Sequence, residues 1–382
     1  MRSALLVTEL FPPDIGGSAE LFENIYKRLR VPRVEVLTNS STSEVTSAFP
    51  NVAITRIPMR WTSWGLTSRN SLKTHVTVAN AIARARRDGA LIHCGRILPE
   101  GLAALMAWPA GRRPFICWAH GEEIQYVNSS KELRLLFRIV QHRAAGILAN
   151  SRHTAQLLEQ MGVAAHKIRV AYPGVDTNRF VPTARAADIR HELLRDERLL
   201  FLTVGRLQRR KGHDVTLRAL RSLVGAIPSF RYAIVGAGPE AETLRALVRE
   251  LDMGSLVIFR DSISHQDLPA YYQAADIFVH PNRVDGLDFE GFGIVFLEAA
   301  ASGLVTVGGR SGGVPEAIAD NVTGLLVDGD DVGDVANVIK RLSLDLDLRK
   351  RLGRQARERV RQSFTWEHAA DIVLRAHLDC AE

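Results

Sequence analysis

Short apolar runs closed by glycine, proline or asparagine alternate along this chain with stretches whose apolar residues recur at helical spacing. "SALLVTEL" (Ser3–Leu10) reads as a strand, and Ala19–Leu29 follows it as an amphipathic helix. "RVEVLTN" and "VAITRIP" predict two more strands. "LKTHVTVANAIARARRDG" predicts a helix closed by Gly89, and "ALIHCG", "PFICWAHG", "GILANS" and "KIRVAYPG" predict further strands. Such alternation predicts a parallel sheet with helices on both faces. Tyr172–Arg198 breaks it. That stretch has two prolines, a Pro-Gly turn and no strand pattern, and is taken as the interdomain connection. Strand runs resume at "LLFLTVGR" and continue through "RYAIVGAG", "LVIFRDS", "DIFVHPN", "LVTVGG" and "TGLLVDG". The expectation is a second open α/β sheet, facing the first across a cleft, with ligands beyond the carboxyl ends of the strands.

The length, 382 residues, suits two domains. Composition changes the picture little: 46% hydrophobic and 24% charged residues are ordinary for a globular protein. The formal charge of +7 favours anionic partners, whether phosphates, acidic lipids or nucleic acid. No basic run interleaved with aromatics is present, so nucleic acid is not expected as a partner. The apolar run in "MRSALLVTELFPP" is too short for a signal peptide. "EGLAALMAWPAG" falls short of the roughly 20 residues that cross a bilayer. A cytoplasmic protein is expected. Cys94, Cys117 and Cys380 are scattered and match neither a metal spacing nor a disulfide framework.

Four loops at strand ends carry chemistry. In "FPPDIGGSAE" two prolines stiffen the exit from the first strand, and Gly16 and Gly17 open a helix whose free N–H groups either face an anion or simply turn the chain. In "VGRLQRRKG" Arg206 and Lys211 follow a strand end. They either clamp a diphosphate or, with Arg209 and Arg210, form a solvated basic loop. In "IVGAGPE" Gly236 and Gly238 resemble half of a dinucleotide fingerprint and suggest a tight turn beside a nucleotide. In "EGFGIVFLEAAASG" Glu290 and Glu298 stand eight apart, with Gly291 and Gly293 at a helix entrance. With Glu298 about two turns in, the two carboxylates would contact different parts of one elongated ligand. The plain alternative is one exposed loop acid and one paired core acid. "CWAHGEE" adds His120 at a strand end, as a site residue or as a packed one.

Together these motifs resemble the retaining glycosyltransferases of family 4, and the resemblance covers nearly the whole chain. "YPGVDTNRF" is similar to the family's interdomain segment. "SGGVPEAIADNVTGLLVDGDD" follows the Glu290 motif at the family's usual distance. The resemblance implies a GT-B fold: Rossmann-like domains at 1–180 and 181–362 and a last helix, within 363–382, crossing back onto the first domain. It implies that Arg206 and Lys211 hold a donor diphosphate and that Glu298 hydrogen-bonds the ribose. Glu290, Gly291, Phe292 and Gly293 would hold the transferred sugar, with His120 near its anomeric carbon. Gly16 and Gly17 would approach the diphosphate, Gly236 would turn beside the nucleotide, and Ile263 would lie against the base. No metal and no cofactor beyond the nucleotide sugar is implied.

"DGLDFEGFGIVFLEAAASG" is most similar to the GDP-mannose enzymes that act on phosphatidylinositol mannosides. The expected donor is therefore GDP-mannose, and the expected acceptor a glycan or a lipid-linked glycan. Val305 departs from the family's usual proline at a strand entry, and Asp261 departs from its usual glycine near the expected base pocket, which puts that pocket in question. "KELRLLFRIVQHR" (Lys131–Arg143) reads as an ordinary surface helix or as one lying on an acidic membrane, so peripheral contact with the inner face of a membrane stays open. Competing readings are a UDP-sugar transferase of the same family, a nucleotide-sugar epimerase of the same fold, and a catalytically silent nucleotide-sugar-binding protein.

Overall fold

In the computed structural model, residues 1–14, 16–40, 52–85, 89–107 and 114–381 are described. They form two units, 1–174 with 366–382 and 175–365. The divisions expected from the sequence, at 180 and 362, lie within a few residues of these.

The first unit is built on a seven-stranded parallel sheet. Its strands are β1 (Ala4–Thr8), β2 (Val34–Asn39), β3 (Val52–Ile57), β4 (Leu91–Cys94), β5 (Phe115–Ala119), β6 (Gly146–Ala149) and β7 (Ile168–Val170), in the order β3-β2-β1-β4-β5-β6-β7. Ala4 pairs with Val34 on one side and with Leu91 on the other. Helices α1 (Gly17–Tyr26), α2 (Arg69–Ala85), α3 (Glu100–Met106), α4 (Glu122–Asn128), α5 (Lys131–Arg143) and α6 (Arg152–Gln160) connect the strands. β1, β4 and β5 are buried along their full length, because helices cover both faces of the sheet.

The second unit has a six-stranded parallel sheet. Helices α7 (Ala184–Leu193), α8 (His213–Ser222), α9 (Ala241–Glu250), α10 (Leu268–Ala274), α11 (Ile294–Ala301), α12 (Val314–Ala317), α13 (Val332–Leu344) and α14 (Leu346–Ser363) surround it. Its strands are β8 (Leu199–Val204), β9 (Phe230–Val235), β10 (Val257–Arg260), β11 (Ile277–His280), β12 (Val305–Gly309) and β13 (Gly324–Val327), ordered β10-β9-β8-β11-β12-β13. In both sheets the strand order reverses direction beside the first strand of the unit, β1 or β8. Ligands of open α/β sheets bind at such a point.

Two expectations need correction. Tyr172–Arg198 is not all connection: its later part is α7, which buries Ile189 and Leu193 and packs on α10. Glu298 lies one turn into α11, not two, because the helix starts only at Ile294. The expected closure of α2 at Gly89 follows residues 86–88, which lie outside the described ones.

The last helix, α15 (Trp366–Ala381), belongs to the first unit and packs on α1. A buried hydrogen-bonded chain ties it there. Trp118 Nε1 donates to the Tyr26 hydroxyl at 3.1 Å, and that hydroxyl lies 2.7 Å from His93 Nδ1. His93 Nε2 is 3.0 Å from His377 Nδ1, and His377 Nε2 is 3.0 Å from the Arg2 carbonyl. A carbonyl only accepts, so neutral His377 carries its proton on Nε2 and accepts on Nδ1. His93 then donates from Nε2, and Tyr26 donates to His93. One proton direction satisfies the whole chain. No helix among the described residues is long and apolar enough to cross a membrane.

Candidate active site

The loops after β8 and β11 converge in the second unit. After β8 the chain passes Gly205 and Arg206, makes one short turn over Arg209–Lys211, and enters α8. After β11 it runs through Pro281 and Asn282 and returns at Glu290 to start α11. Lys211 is 8% exposed and Glu290 9%, so neither is a surface charge. Three donors meet on one oxygen of Glu290, Oε2: Lys211 Nζ, Arg210 Nη1 at 2.9 Å and Asn282 Nδ2 at 3.0 Å. Oε1 is engaged by none of the three. Arg210 also pairs with Asp288 at 3.0 Å.

Burial pushes the Glu290 carboxyl up, but the Lys211 and Arg210 charges outweigh it and hold the group below the usual carboxylate range. Burial lowers the Lys211 ammonium, and Glu290 offsets this only in part. The result is a desolvated, preorganised cluster of charge beside the strand ends, suited to stabilising an anion that enters it.

Close backbone packing shapes these loops. A Cβ on Gly236 would meet the Gly205 carbonyl oxygen at 2.0 Å, and one on Gly309 would meet the Asn282 carbonyl oxygen at 1.7 Å. The glycine at 236 is thus required by the neighbouring Gly205 loop of the same unit, without invoking a nucleotide. Gly293 caps α11 at φ +91°, and Gly313 N donates to the Glu290 carbonyl at 2.9 Å. The glycines at 291–293 therefore set the entry of α11 against the 311–313 turn. Phe292 points into the core, buried against Phe364 with ring centroids 5.8 Å apart, so of this residue only the backbone is available to a ligand.

The other expected residues are placed as follows. Glu298 is buried and accepts from the Tyr272 hydroxyl at 2.6 Å. Both glutamates of the motif are therefore buried and partnered, unlike the plain alternative of one exposed acid. Arg206 is exposed on the loop after β8. Ile263 is half-buried beyond β10, and Asp261 beside it pairs with Arg245 at 2.7 Å. In the first unit, Gly16 caps α1 and lies exposed with Gly17. His120, at the end of β5, sets its Nε2 3.0 Å from the Gly95 carbonyl and stacks on Trp118.

Two residues of the cluster were not singled out from the sequence. Arg210 figures in the sequence only as part of a solvated basic loop, and Asn282 lies unmarked in a strand exit. Both act through Glu290, which Arg210 meets across 80 residues of chain. Beneath them, the buried ring of His280 has no hydrogen-bond partner on either nitrogen, and its pKa is pushed far down by burial and then by Lys211. The adjacent His213 is lowered to about 4 by the same two causes.

Residues 15–179 match the model of Glycosyltransferase Family 4, and residues 184–359 that of Glycosyl transferases group 1. A GDP-mannose-dependent alpha-(1-6)-phosphatidylinositol monomannoside mannosyltransferase of Mycobacterium tuberculosis is 32% identical over 380 residues, covering 97% of this chain and 96% of that protein. A GDP-mannose-dependent monoacylated alpha-(1-6)-phosphatidylinositol monomannoside mannosyltransferase of Corynebacterium glutamicum is 29% identical, covering 96% and 95%. Among solved structures, the sucrose-phosphate synthase of Thermosynechococcus elongatus superposes with a TM-score of 0.83 at 24% identity, covering 99% of both chains.

Proposed function

This chain belongs to the family 4 glycosyltransferases and has their GT-B fold, and from that premise we propose that it moves mannose from GDP-mannose to a glycolipid acceptor with retention of configuration. The observation that carries this reading is the buried cluster on Glu290. A carboxylate held charged by Lys211, Arg210 and Asn282 keeps Oε1 to accept from sugar hydroxyls, and in this reading the Lys211 and Arg210 charges beside it would attract the donor diphosphate. The two relatives, both dependent on GDP-mannose and both acting on phosphatidylinositol mannosides, support the donor and the acceptor class.

In the proposed reaction the acceptor oxygen bonds to the anomeric carbon as the bond from that carbon to the donor phosphate breaks. The hydroxyl proton passes to the departing phosphate oxygen on the same face. Lys211, with Arg206 from the same loop, stabilises the charge of the departing diphosphate. Glu290 and the backbone at 291–293 hold the sugar, Glu298 the ribose, and His120 positions the donor sugar. With these cations the chemistry needs no added metal, and transfer should survive excess EDTA unchanged. A lipid-linked acceptor would bring this work to a membrane surface, for which the inner face is the side proposed.

Calorimetric titration of the purified protein with GDP, UDP and ADP, then with their sugars, tests the donor. Preference for GDP and GDP-mannose is the expected result. Preference for UDP or ADP would keep the family and discard mannose.

A further inference from the structure

The carboxyl edge of the first unit's sheet carries a second built cluster. Arg96, just beyond β4, donates to Glu9 Oε2 at 2.7 Å and to Glu100 Oε1 at 2.9 Å. Glu100 is fully buried and also accepts from the Glu9 backbone N–H at 3.1 Å. Burial opposes the Arg96 charge, but the two carboxylates overcome it and keep the guanidinium firmly charged. Its carbon lies 5.1 Å from the centre of the Trp64 ring, and Trp64 meets Tyr126 of α4 at 4.5 Å. Trp64 is half-buried, and Tyr126 is 43% exposed.

The segment bearing Trp64 has no regular structure, yet side chains pin it at three places. Glu9 Oε1 accepts from Trp61 N, and Ser71 Oγ donates to the Ser63 and Gly65 carbonyls. Glu132 of α5 accepts from Leu66 N, Thr67 N and the Thr67 hydroxyl. Backbone amides of an irregular loop are usually left to water. Here two carboxylates hold amide N–H groups and a hydroxyl holds the neighbouring carbonyls, which fixes the position of a partly exposed indole at a sheet edge where ligands bind.

Resting on the proposed reading of the enzyme, we propose that Trp64 and Tyr126, set on the Glu9–Arg96–Glu100 frame, form the platform on which a polyhydroxylated six-membered ring of the acceptor stacks. An aromatic face takes the C–H face of such a ring, and a fixed guanidinium flanked by carboxylates offers polar partners to its hydroxyls. A free sugar or cyclitol and the headgroup of a glycolipid share this chemistry.

The test uses the full chain and does not need the donor. Saturation-transfer NMR is recorded with myo-inositol and with methyl α-mannoside for wild type, W64A, W64F and Y126A. Separately, binding to phosphatidylcholine vesicles is compared with and without phosphatidylinositol. Wild type and W64F should saturate the ring protons or bind the phosphatidylinositol vesicles, and W64A should lose this at least about tenfold. Signal from the soluble rings would assign recognition to the ring alone. Trp64-dependent binding only to the vesicles would assign it to the headgroup on its lipid. Equal signal from wild type and W64A, or no signal from the soluble rings together with vesicle binding indifferent to phosphatidylinositol, would overturn the proposal. If W64A does not fold, Y126A carries the same comparison. Failure of GDP-mannose to bind would discard the donor reading and leave this result standing by itself.

Discussion

The oxygen Oε2 of Glu290 is the point from which the second unit's chemistry can be tested. Removing Lys211 takes away a charge-assisted partner where water cannot replace it. Lys211→Ala should weaken GDP binding about 10- to 100-fold, as read by titration calorimetry. Arg210→Gln should leave Lys211 more tightly occupied by Glu290 and so weaken GDP binding by a smaller factor. Equal affinity in both variants and wild type would remove the diphosphate clamp from the account. At this scale the sequence was half legible. Lys211 and Glu290 announced themselves because a cation after a strand and an acid before a glycine-flanked helix are unusual. Arg210 and Asn282 did not, because their meaning lies in a contact between distant loops.

At the scale of the elements, the tight turns and the docking of α15 make separate predictions. Gly309→Ala places a methyl group against the Asn282 backbone and should destabilise the second unit by about 1–3 kcal/mol. Gly254→Ala, with nothing within 4 Å of the added carbon, should be nearly neutral in the same thermal melt. The strands were legible almost residue by residue, since buried parallel strands read as continuous apolar runs bounded by turn residues. α7 was missed because two prolines precede it and its exposed face is polar. Nothing in a single sequence reports that its Ile189 and Leu193 find a partner in α10.

The chain from Trp118 to Arg2 makes the docking of α15 sensitive to acid. Burial lowers the pKa of both His93 and His377, so the unfolded chain, titrating near the ordinary 6.5, takes up protons before the folded one. The stability due to neutral histidines is complete above about pH 6.5 and is lost as pH falls from there toward the folded values. His75, His213 and His280 are lowered too and act in the same direction. The melting temperature should drop by several degrees from pH 7.5 to 5. His377→Gln should lower stability at pH 7.5 and reduce that drop. An unchanged melting temperature across the range would contradict the assignment of these histidines as neutral and buried.

For the whole molecule, two Rossmann-like units with a transferase family's motifs make one central claim: retaining mannosyl transfer from GDP-mannose. The fold was legible in the alternation of strand and helix patterns, and the family in the resemblance of the strand-end motifs to those of known transferases. The acceptor was not, because its recognition falls to residues such as Trp64 and Arg96, which no motif marks and only the packed loop brings together. The most direct test is proton NMR of the purified enzyme with GDP-mannose, a phosphatidylinositol mannoside acceptor and EDTA, reading the anomeric signal of the first product formed. The account predicts GDP release matched by a new α-mannosidic signal. A β-linked product, or no transfer from GDP-mannose while another sugar nucleotide is consumed, would contradict it.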